Sequence, residues 1–159
     1  MAKKRTFKLH PIGRIRHTEN QAFLEILPEY KSGLFRLEMI SHVFVLWWIH
    51  RRDTPNARTV LKVIPRVTKQ HNDPQEMGVF ATRSPNRPNP IGMTLVKILC
   101  IEDNLVYIDS IDAYDGTPIL DLKPYLPNGD RVEQVALPPW FNHLLLSRVS
   151  QKSYEPQSD

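Results

Sequence analysis

The residues best suited to chemistry lie in a proline-rich loop over residues 81–92, with the sequence ATRSPNRPNPIG. Its three prolines are Pro85, Pro88 and Pro90. Each restricts its own backbone and that of the preceding residue, so the loop has little conformational freedom to lose when a ligand binds. The guanidinium groups of Arg83 and Arg87, displayed on such a loop, are suited to a phosphate, a carboxylate or a base edge. The alternative is a rigid connection whose arginines pair with acidic residues.

Two acidic clusters follow the loop, Asp109-Ser110-Ile111-Asp112 and Asp115-Gly116-Thr117-Pro118. Side chains alternate between the two faces of a strand, so at least one carboxylate of the first cluster faces the covered side or lies at the rim of the sheet. A carboxylate removed from water needs a partner. We expect a ribose hydroxyl, a ligand ammonium group, or Arg83 or Arg87. An internal salt bridge is the alternative.

Two histidines, His42 and His50, lie eight residues apart on one apolar segment. At about 3.4 Å per residue, a strand would separate their Cα atoms by about 27 Å, so they cannot ligate one metal ion. We predict no metal site. His42 is interpreted as a structural residue at a strand end. His50, beside Arg51 and Arg52, is a candidate for a ligand-facing position at the rim, and a structural role is its alternative.

Several protein classes are excluded by residue types that are scarce or widely spaced. The six glycines form neither G-x-G nor a Walker A loop, which excludes the dinucleotide-binding fingerprint and the P-loop. Cys100 is the only cysteine, so no internal disulfide forms and a reducing compartment is expected. No apolar segment follows the basic start, and the longest apolar run, Val43–Ile49, is far shorter than the roughly 20 residues that span a bilayer. We therefore expect a cytoplasmic protein without a membrane partner.

The charge is unevenly distributed along the chain, which carries a formal net charge of +4. Residues 1–16 and 51–97 are rich in lysine and arginine, whereas residues 100–133 are rich in acids. A basic front with a separate acidic patch suits a polyanionic ligand such as nucleic acid. A slightly basic protein with solvated charges is the alternative.

Short strands joined by stiff loops are predicted for most of the chain, whose 159 residues suffice for one domain. The predicted strands are Phe7–Ile15, Ser41–His50, Thr59–Ile64, Gly78–Thr82, Ile91–Glu102, Leu105–Ile111 and Ile119–Lys123. Helix signals are limited to a turn near Glu29–Ser32 and a helix over Trp140–Val149. The predicted fold is mainly β: a small closed β-barrel of six or seven strands with short peripheral helices, over residues 1–149, followed by a polar tail over 150–159.

Two long segments together resemble the TsaA-like, or TrmO, family. The first is GVFATRSPNRPNPIG over residues 78–92, and the second is DGTPILDLKPYLP over residues 115–127. Two shorter landmarks, Ile12-Gly13-Arg14-Ile15 and Ser41-His42, match in order and spacing. The resemblance covers roughly residues 7–140. The Pro-Arg-Gln stretch that many members carry after the first strand is replaced here by residues 17–22.

The resemblance implies a β-barrel methyltransferase that uses S-adenosylmethionine, works as a homodimer and methylates N6 of threonylcarbamoyl-adenosine beside the tRNA anticodon. The cofactor contacts that it implies are His50, Arg51, Arg83, Met93, Asp109, Ser110, Ile111 and Asp112. Arg87 and Asn89 are assigned to positioning the substrate. Asn89 is the candidate that orients the target amine, and Asp112 is the candidate general base.

Two other functions remain open at this stage. One is a non-catalytic regulator that binds S-adenosylmethionine or a nucleotide, and the other is an RNA-binding barrel without a cofactor. The basic loop fits all three functions. Carboxylates beside a strongly apolar strand favour a cofactor pocket over RNA binding alone.

Overall fold

The computed structural model describes residues 6–65, 68 and 74–138 of the chain. The predicted helix over Trp140–Val149 and the predicted tail over 150–159 lie outside these residues. No helix in the described ranges is long and apolar enough to cross a membrane. Strands make up most of the regular structure in the described ranges.

Eight strands in the described part of the chain form two antiparallel sheets. They are β1 (Gly13–His17), β2 (Ala22–Ile26), β3 (His42–Trp48), β4 (Lys62–Val63), β5 (Met77–Gly78), β6 (Ile91–Glu102), β7 (Leu105–Ile108) and β8 (Pro118–Pro124). The main sheet has the order β1-β2-β7-β6-β3-β8, and β4 pairs with β5 separately. β1 also pairs with β8, at Gly13 with Ile119 and at Arg14 with Pro118, so the order of the main sheet closes on itself.

Branched aliphatic side chains on the inner face of the main sheet form the core. Every second residue of a strand points to the same face, which suits half-buried strands. The fully buried residues of these strands are Ile15, Leu24, Ile26, Val43, Val45, Val96, Val106, Ile108 and Ile119. The outward residues of β3, such as Phe44 and Trp48, are half-buried among the described residues. The core therefore lies on one face of β3. The apolar sequence of β3 is instead typical of a strand that is covered on both faces.

The helices are short and lie between the strands. α1 (Pro55–Thr59) begins where the Thr54 hydroxyl accepts a hydrogen bond from the Ala57 N–H at 3.1 Å, and proline occupies its first position. α2 spans Pro127–Asp130. Four 3₁₀ turns lie at Pro28–Leu34, Leu37–Met39, His50–Arg52 and Val79–Ala81. The predicted mainly β fold with short helices is confirmed, and so is the turn near Glu29–Ser32.

Several strand boundaries differ from the prediction, and β7 ends at Ile108 instead of Ile111. The first strand begins at Gly13 instead of Phe7, since Pro11 has no N–H to donate to a ladder. Another difference concerns the strand predicted over Thr59–Ile64. Thr59 is the last residue of α1, because the Thr54 cap and Pro55 favour a helix here, and the strand is limited to Lys62–Val63.

The segment Gly78–Thr82 is also mostly a 3₁₀ turn, because the Thr82 N–H and hydroxyl both donate to the Val79 carbonyl, at 3.2 and 3.0 Å. The strand β2 was not predicted. A tight turn at Asp103-Asn104 joins β6 to β7, and Asp103 adopts a left-handed conformation there with φ of 56°.

Candidate functional site

The candidate site lies at the end of β3, where the chain leaves the sheet through the 3₁₀ turn His50–Arg52. The Arg52 N–H donates to the Ile49 carbonyl at 3.0 Å and closes this turn. The Ile49 N–H donates to the Pro90 carbonyl at 2.7 Å. This bond joins the turn to the proline-rich loop, so two segments 40 residues apart in sequence form one edge of the site.

A small cavity of about 50 Å³ opens beside this turn. Its polar wall consists of His50, Arg51, Arg52, Asp112 and Thr117. Its apolar wall consists of Trp47, Ile49 and Tyr114. Three of the residues predicted from the sequence, His50, Arg51 and Asp112, therefore meet here. A cation, an imidazole and a carboxylate beside aromatic rings can bind a ligand that is both charged and aromatic.

The carboxylate of Asp112 is oriented by a chain of hydrogen bonds that begins in the core. Trp47 Nε1 donates to Thr94 Oγ1 at 3.1 Å, and Thr94 Oγ1 donates to Asp112 Oδ1 at 2.9 Å. Among the described residues, Asp112 Oδ2 accepts no hydrogen bond. One carboxylate oxygen is therefore fixed, and the other is available to a ligand hydroxyl or ammonium group.

Two of the three basic residues that line the cavity, His50 and Arg51, are also held in place. His50 Nδ1 lies 3.4 Å from the Thr117 hydroxyl, and the Arg51 guanidinium stacks on the Tyr114 ring, 4.2 Å from its centroid. Stacking on a ring leaves the edge of a guanidinium free to donate hydrogen bonds. The Arg51 donors thus remain available for an anionic group.

Asp53 fixes the far end of the turn that carries His50 and Arg51. Its carboxylate accepts hydrogen bonds from Trp48 Nε1 and Arg58 Nη2, both at 2.9 Å. The hydrogen bond from Arg58 is the main cause that lowers the pKa of Asp53 below its ordinary value. The charged carboxylate thus links β3 to α1 on either side of the turn.

A close backbone approach at Gly92 allows the Trp47 ring to reach its position. A Cβ atom at Gly92 would lie 2.3–2.5 Å from three carbon atoms of that ring. Gly92 pairs with Trp47 across the β3–β6 ladder, so the ring packs directly over the glycine. Only glycine leaves this space for the indole that donates to Thr94.

The other predicted residues of the first acidic cluster lie away from the cavity. Asp109 Oδ1 accepts the Lys97 N–H at 2.9 Å, so this carboxylate extends the β6 ladder. Ser110 is exposed and Ile111 is half-buried, and neither lines the cavity. Neither carboxylate pairs with the predicted arginines. In the second cluster, Asp115 does form the alternative salt bridge, with Arg16 at 3.3 Å.

Met93 and the predicted residues of the proline-rich loop, Arg83, Arg87 and Asn89, do not line the small cavity. Met93 is exposed on the face of β6 opposite Gly92 and Thr94. Arg83 and Asn89 are exposed, and their side chains bind no other described residue. Arg87 turns inward, where its guanidinium donates to the carbonyls of Val79 and Thr82 at 3.2 and 3.5 Å. It therefore stiffens the loop that carries Arg83 and Asn89.

Five residues that line the small cavity were not predicted as site residues: Trp47, Ile49, Arg52, Tyr114 and Thr117. Thr94, which donates a hydrogen bond to Asp112, was also missed. A hydroxyl at an inward position of an apolar strand, as at Thr94, was a usable signal. The tryptophan offered none, because a run such as Val43–Ile49 predicts core packing for all its members.

Comparison with known proteins identifies the family. The family described as the tRNA-methyltransferase O N-terminal domain (TrmO_N) matches residues 5–131. A probable S-adenosyl-L-methionine-binding protein of Pyrococcus horikoshii is 47% identical over 119 residues, which cover 74% of this chain and 81% of that protein. A tRNA (adenine(37)-N6)-methyltransferase of Mus musculus is 38% identical over 110 residues, covering 69% of this chain and 24% of that protein.

Solved structures agree with the sequence comparison. A crystal structure of TrmO from a Pseudomonas species superposes with a TM-score of 0.66 at 30% identity. The match covers 87% of this chain and 63% of that chain, so the present chain spans less than two thirds of the solved protein. Family match, sequence identity and fold agree over the segment that contains the small cavity, and the chain therefore belongs to the family of the tRNA-methyltransferase O N-terminal domain.

Proposed function

We propose that this chain is an S-adenosylmethionine-dependent methyltransferase that modifies tRNA. The observation that carries the proposal is the meeting of His50, Arg51 and Asp112 in one cavity at the end of β3, beside the proline-rich loop. Relatives named as S-adenosyl-L-methionine-binding proteins and as a tRNA methyltransferase support it. A cytoplasmic location is part of the proposal, since it suits a role in tRNA modification.

The residues of the small cavity are complementary to chemical groups of S-adenosylmethionine, and a cavity of about 50 Å³ would hold only part of that molecule. The free oxygen of Asp112 suits ribose hydroxyls or an ammonium group, and the Arg51 guanidinium suits a carboxylate. The rings of Trp47 and Tyr114 suit an aromatic base or a sulfonium. A bound cofactor supplies a methyl group on an electrophilic sulfonium. Of the remaining predicted contacts, Arg83 and Met93 would act from the surfaces beside the cavity.

The finer substrate in this proposal is N6 of the threonylcarbamoyl-adenosine next to the anticodon. Asn89, fixed between two prolines, is the group proposed to accept a hydrogen bond from the target amine and orient it. Asp112 is the proposed acceptor of the proton that the amine releases after methylation. Alignment of the reacting groups is the main contribution expected of the protein, because methyl transfer creates little net charge.

A homodimer is part of the proposal, and the outer face of β3 and β6 supports it. Outward residues of β6 are exposed and apolar: Ile91 at 37%, Met93 at 46% and Leu95 at 43%. They lie beside half-buried apolar residues of β3, since Leu46 pairs with Met93 and Phe44 with Leu95. A continuous apolar face of this kind suits a second copy of the chain.

Light scattering tests the dimer. We expect about twice the monomer mass of 18.5 kDa at micromolar concentration, and the monomer mass for Leu95→Glu. A wild-type protein of 18.5 kDa at that concentration would contradict the dimer.

Transfer of a labelled methyl group from S-adenosylmethionine to tRNA carrying the threonylcarbamoyl group tests the activity, with unmodified tRNA as the control. For Asn89→Ala we expect normal cofactor affinity and turnover lowered on the order of 10²–10³, by analogy with other positioned polar groups. A wild type that binds the cofactor and methylates no tRNA would be a regulator. A wild type that binds tRNA and no cofactor would be an RNA-binding protein.

A further inference from the structure

A second, larger cavity of about 290 Å³ lies next to the small cavity. It is formed by the turn after β3, by α1 and by the proline-rich loop, and its polar residues are Arg51, Arg52, Thr54, Asn56 and Asn86. The two arginines line both cavities, so the cavities adjoin. A volume just below the roughly 300 Å³ at which small-molecule sites begin suits one nucleotide.

The lining groups of the larger cavity have free hydrogen-bonding capacity. Among the described residues, the Arg52 guanidinium has no ion pair, and the amides of Asn56 and Asn86 make no side-chain hydrogen bond. None of the described residues that line the cavity carries a carboxylate. The nearby Asp53 is already occupied by Arg58 and Trp48. An unpaired cation with two amides can bind a phosphate and the edge of a base together.

The walls of this cavity are rigid before any ligand binds. The Thr54 N–H donates to the Arg52 carbonyl at 3.0 Å, and the Thr54 hydroxyl caps α1. On the loop side, the Asn86 N–H donates to Ser84 Oγ at 3.3 Å. Binding groups held in this way lose little entropy when a ligand arrives.

We propose that the larger cavity binds one nucleotide of the RNA substrate, next to the nucleotide that is methylated. Its phosphodiester would lie against Arg52, and its base edge against Asn56 and Asn86. The inference rests on the proposed function, because that function assigns the adjoining small cavity to the cofactor. An RNA strand is favoured over a free anion, because amides accompany the cation and the larger cavity adjoins the residues assigned to the reaction.

Asn56→Asp tests the proposal with a nearly isosteric change that places a negative charge in the cavity. Asn56 lines only the larger cavity and lies in the first turn of α1, where aspartate is well tolerated. Asn20→Asp is the matched control, since it makes the same charge change in the exposed turn between β1 and β2. The probes are tRNA, adenosine monophosphate and inorganic phosphate, and S-adenosylmethionine affinity is measured alongside.

We expect Asn56→Asp to weaken tRNA binding at least about tenfold at low salt, the size of one charge-assisted contact, with unchanged cofactor affinity. We expect Asn20→Asp to bind tRNA like the wild type. Equal losses in the two variants, or no loss in Asn56→Asp, would overturn the proposal. So would a loss confined to adenosine monophosphate, phosphate or cofactor.

Failure of the proposed function gives a different result. In one outcome, the wild type transfers no methyl group to tRNA while Asn56→Asp, and not Asn20→Asp, still weakens tRNA binding. That result would refute the methyltransferase and retain the RNA site. If the wild type and Asn56→Asp both methylate tRNA with the same KM for tRNA, the methyltransferase is supported and the RNA site is refuted.

Discussion

Replacing Gly92 by alanine tests whether the packing of Trp47 supports the candidate site. The new Cβ would lie 2.3 Å from Cε2 and 2.5 Å from Cδ2 and Cζ2 of the indole. Carbon atoms pack at about 3.5–4.0 Å, so the ring must move by roughly 1 Å. That movement would break the 3.1 Å hydrogen bond from Trp47 to Thr94 and release the chain that orients Asp112.

The expected loss of stability follows from these two effects. Overpacking of a well-packed site costs about 1–3 kcal/mol, and the lost hydrogen bond adds about 0.5–1.5 kcal/mol. We therefore expect Gly92→Ala to lower the free energy of unfolding by about 1.5–4.5 kcal/mol. With a urea dependence of about 2 kcal/mol per molar, the unfolding midpoint falls by roughly 1–2 M.

Urea unfolding followed by tryptophan fluorescence measures this change, and calorimetry measures the accompanying loss of cofactor affinity. Gly33→Ala is the matched control, because no atom lies within 4 Å of its added Cβ, and we expect an unchanged midpoint. In the double variant Gly92→Ala/Trp47→Leu, the ring that clashes is gone. The loss of stability in the double variant should therefore be smaller than the sum of the losses in the two single variants. An unchanged midpoint in Gly92→Ala, or fully additive losses in the double variant, would refute this reasoning.

Two further predictions concern the groups that hold the site. Thr94→Val leaves Trp47 Nε1 and Asp112 Oδ1 without their shared hydrogen-bond partner. We expect its cofactor affinity to fall about tenfold, whereas Thr94→Ser keeps the hydroxyl and the wild-type affinity. Equal affinities in the two variants would contradict this role of Thr94. Arg58 lowers the pKa of Asp53, so the contribution of this pair is present above the ordinary carboxyl value of 3.8 and is lost as the pH falls through the lower folded value. The wild type should therefore be more stable than Asp53→Asn at neutral pH, and the difference should shrink below about pH 3.8; a constant difference in the free energy of unfolding would exclude this linkage.

Local physical chemistry in the sequence determined the strand-rich fold and the character of the proline-rich loop. Apolar segments rich in β-branched and aromatic residues indicated most strands of the main sheet, since such side chains favour extended backbone. The prolines predicted the stiffness of the loop, because each restricts its own backbone angle and the conformation of its neighbour. The two long motifs identified the family, which the comparison confirmed.

Only the tertiary structure decided which polar groups meet. Asp112 reaches the cavity of His50 because the chain after β7 runs back beside β6, with Asp109 bound at Lys97 and Asp112 at Thr94. No local pattern encodes that approach across 62 residues of sequence. Met93 and Thr94 are neighbours in the chain, but they lie on opposite faces of β6, where Met93 is exposed and Thr94 is half-buried. Chemistry that depends on residues distant in sequence is decided by strand register and packing, which short-range propensities do not specify.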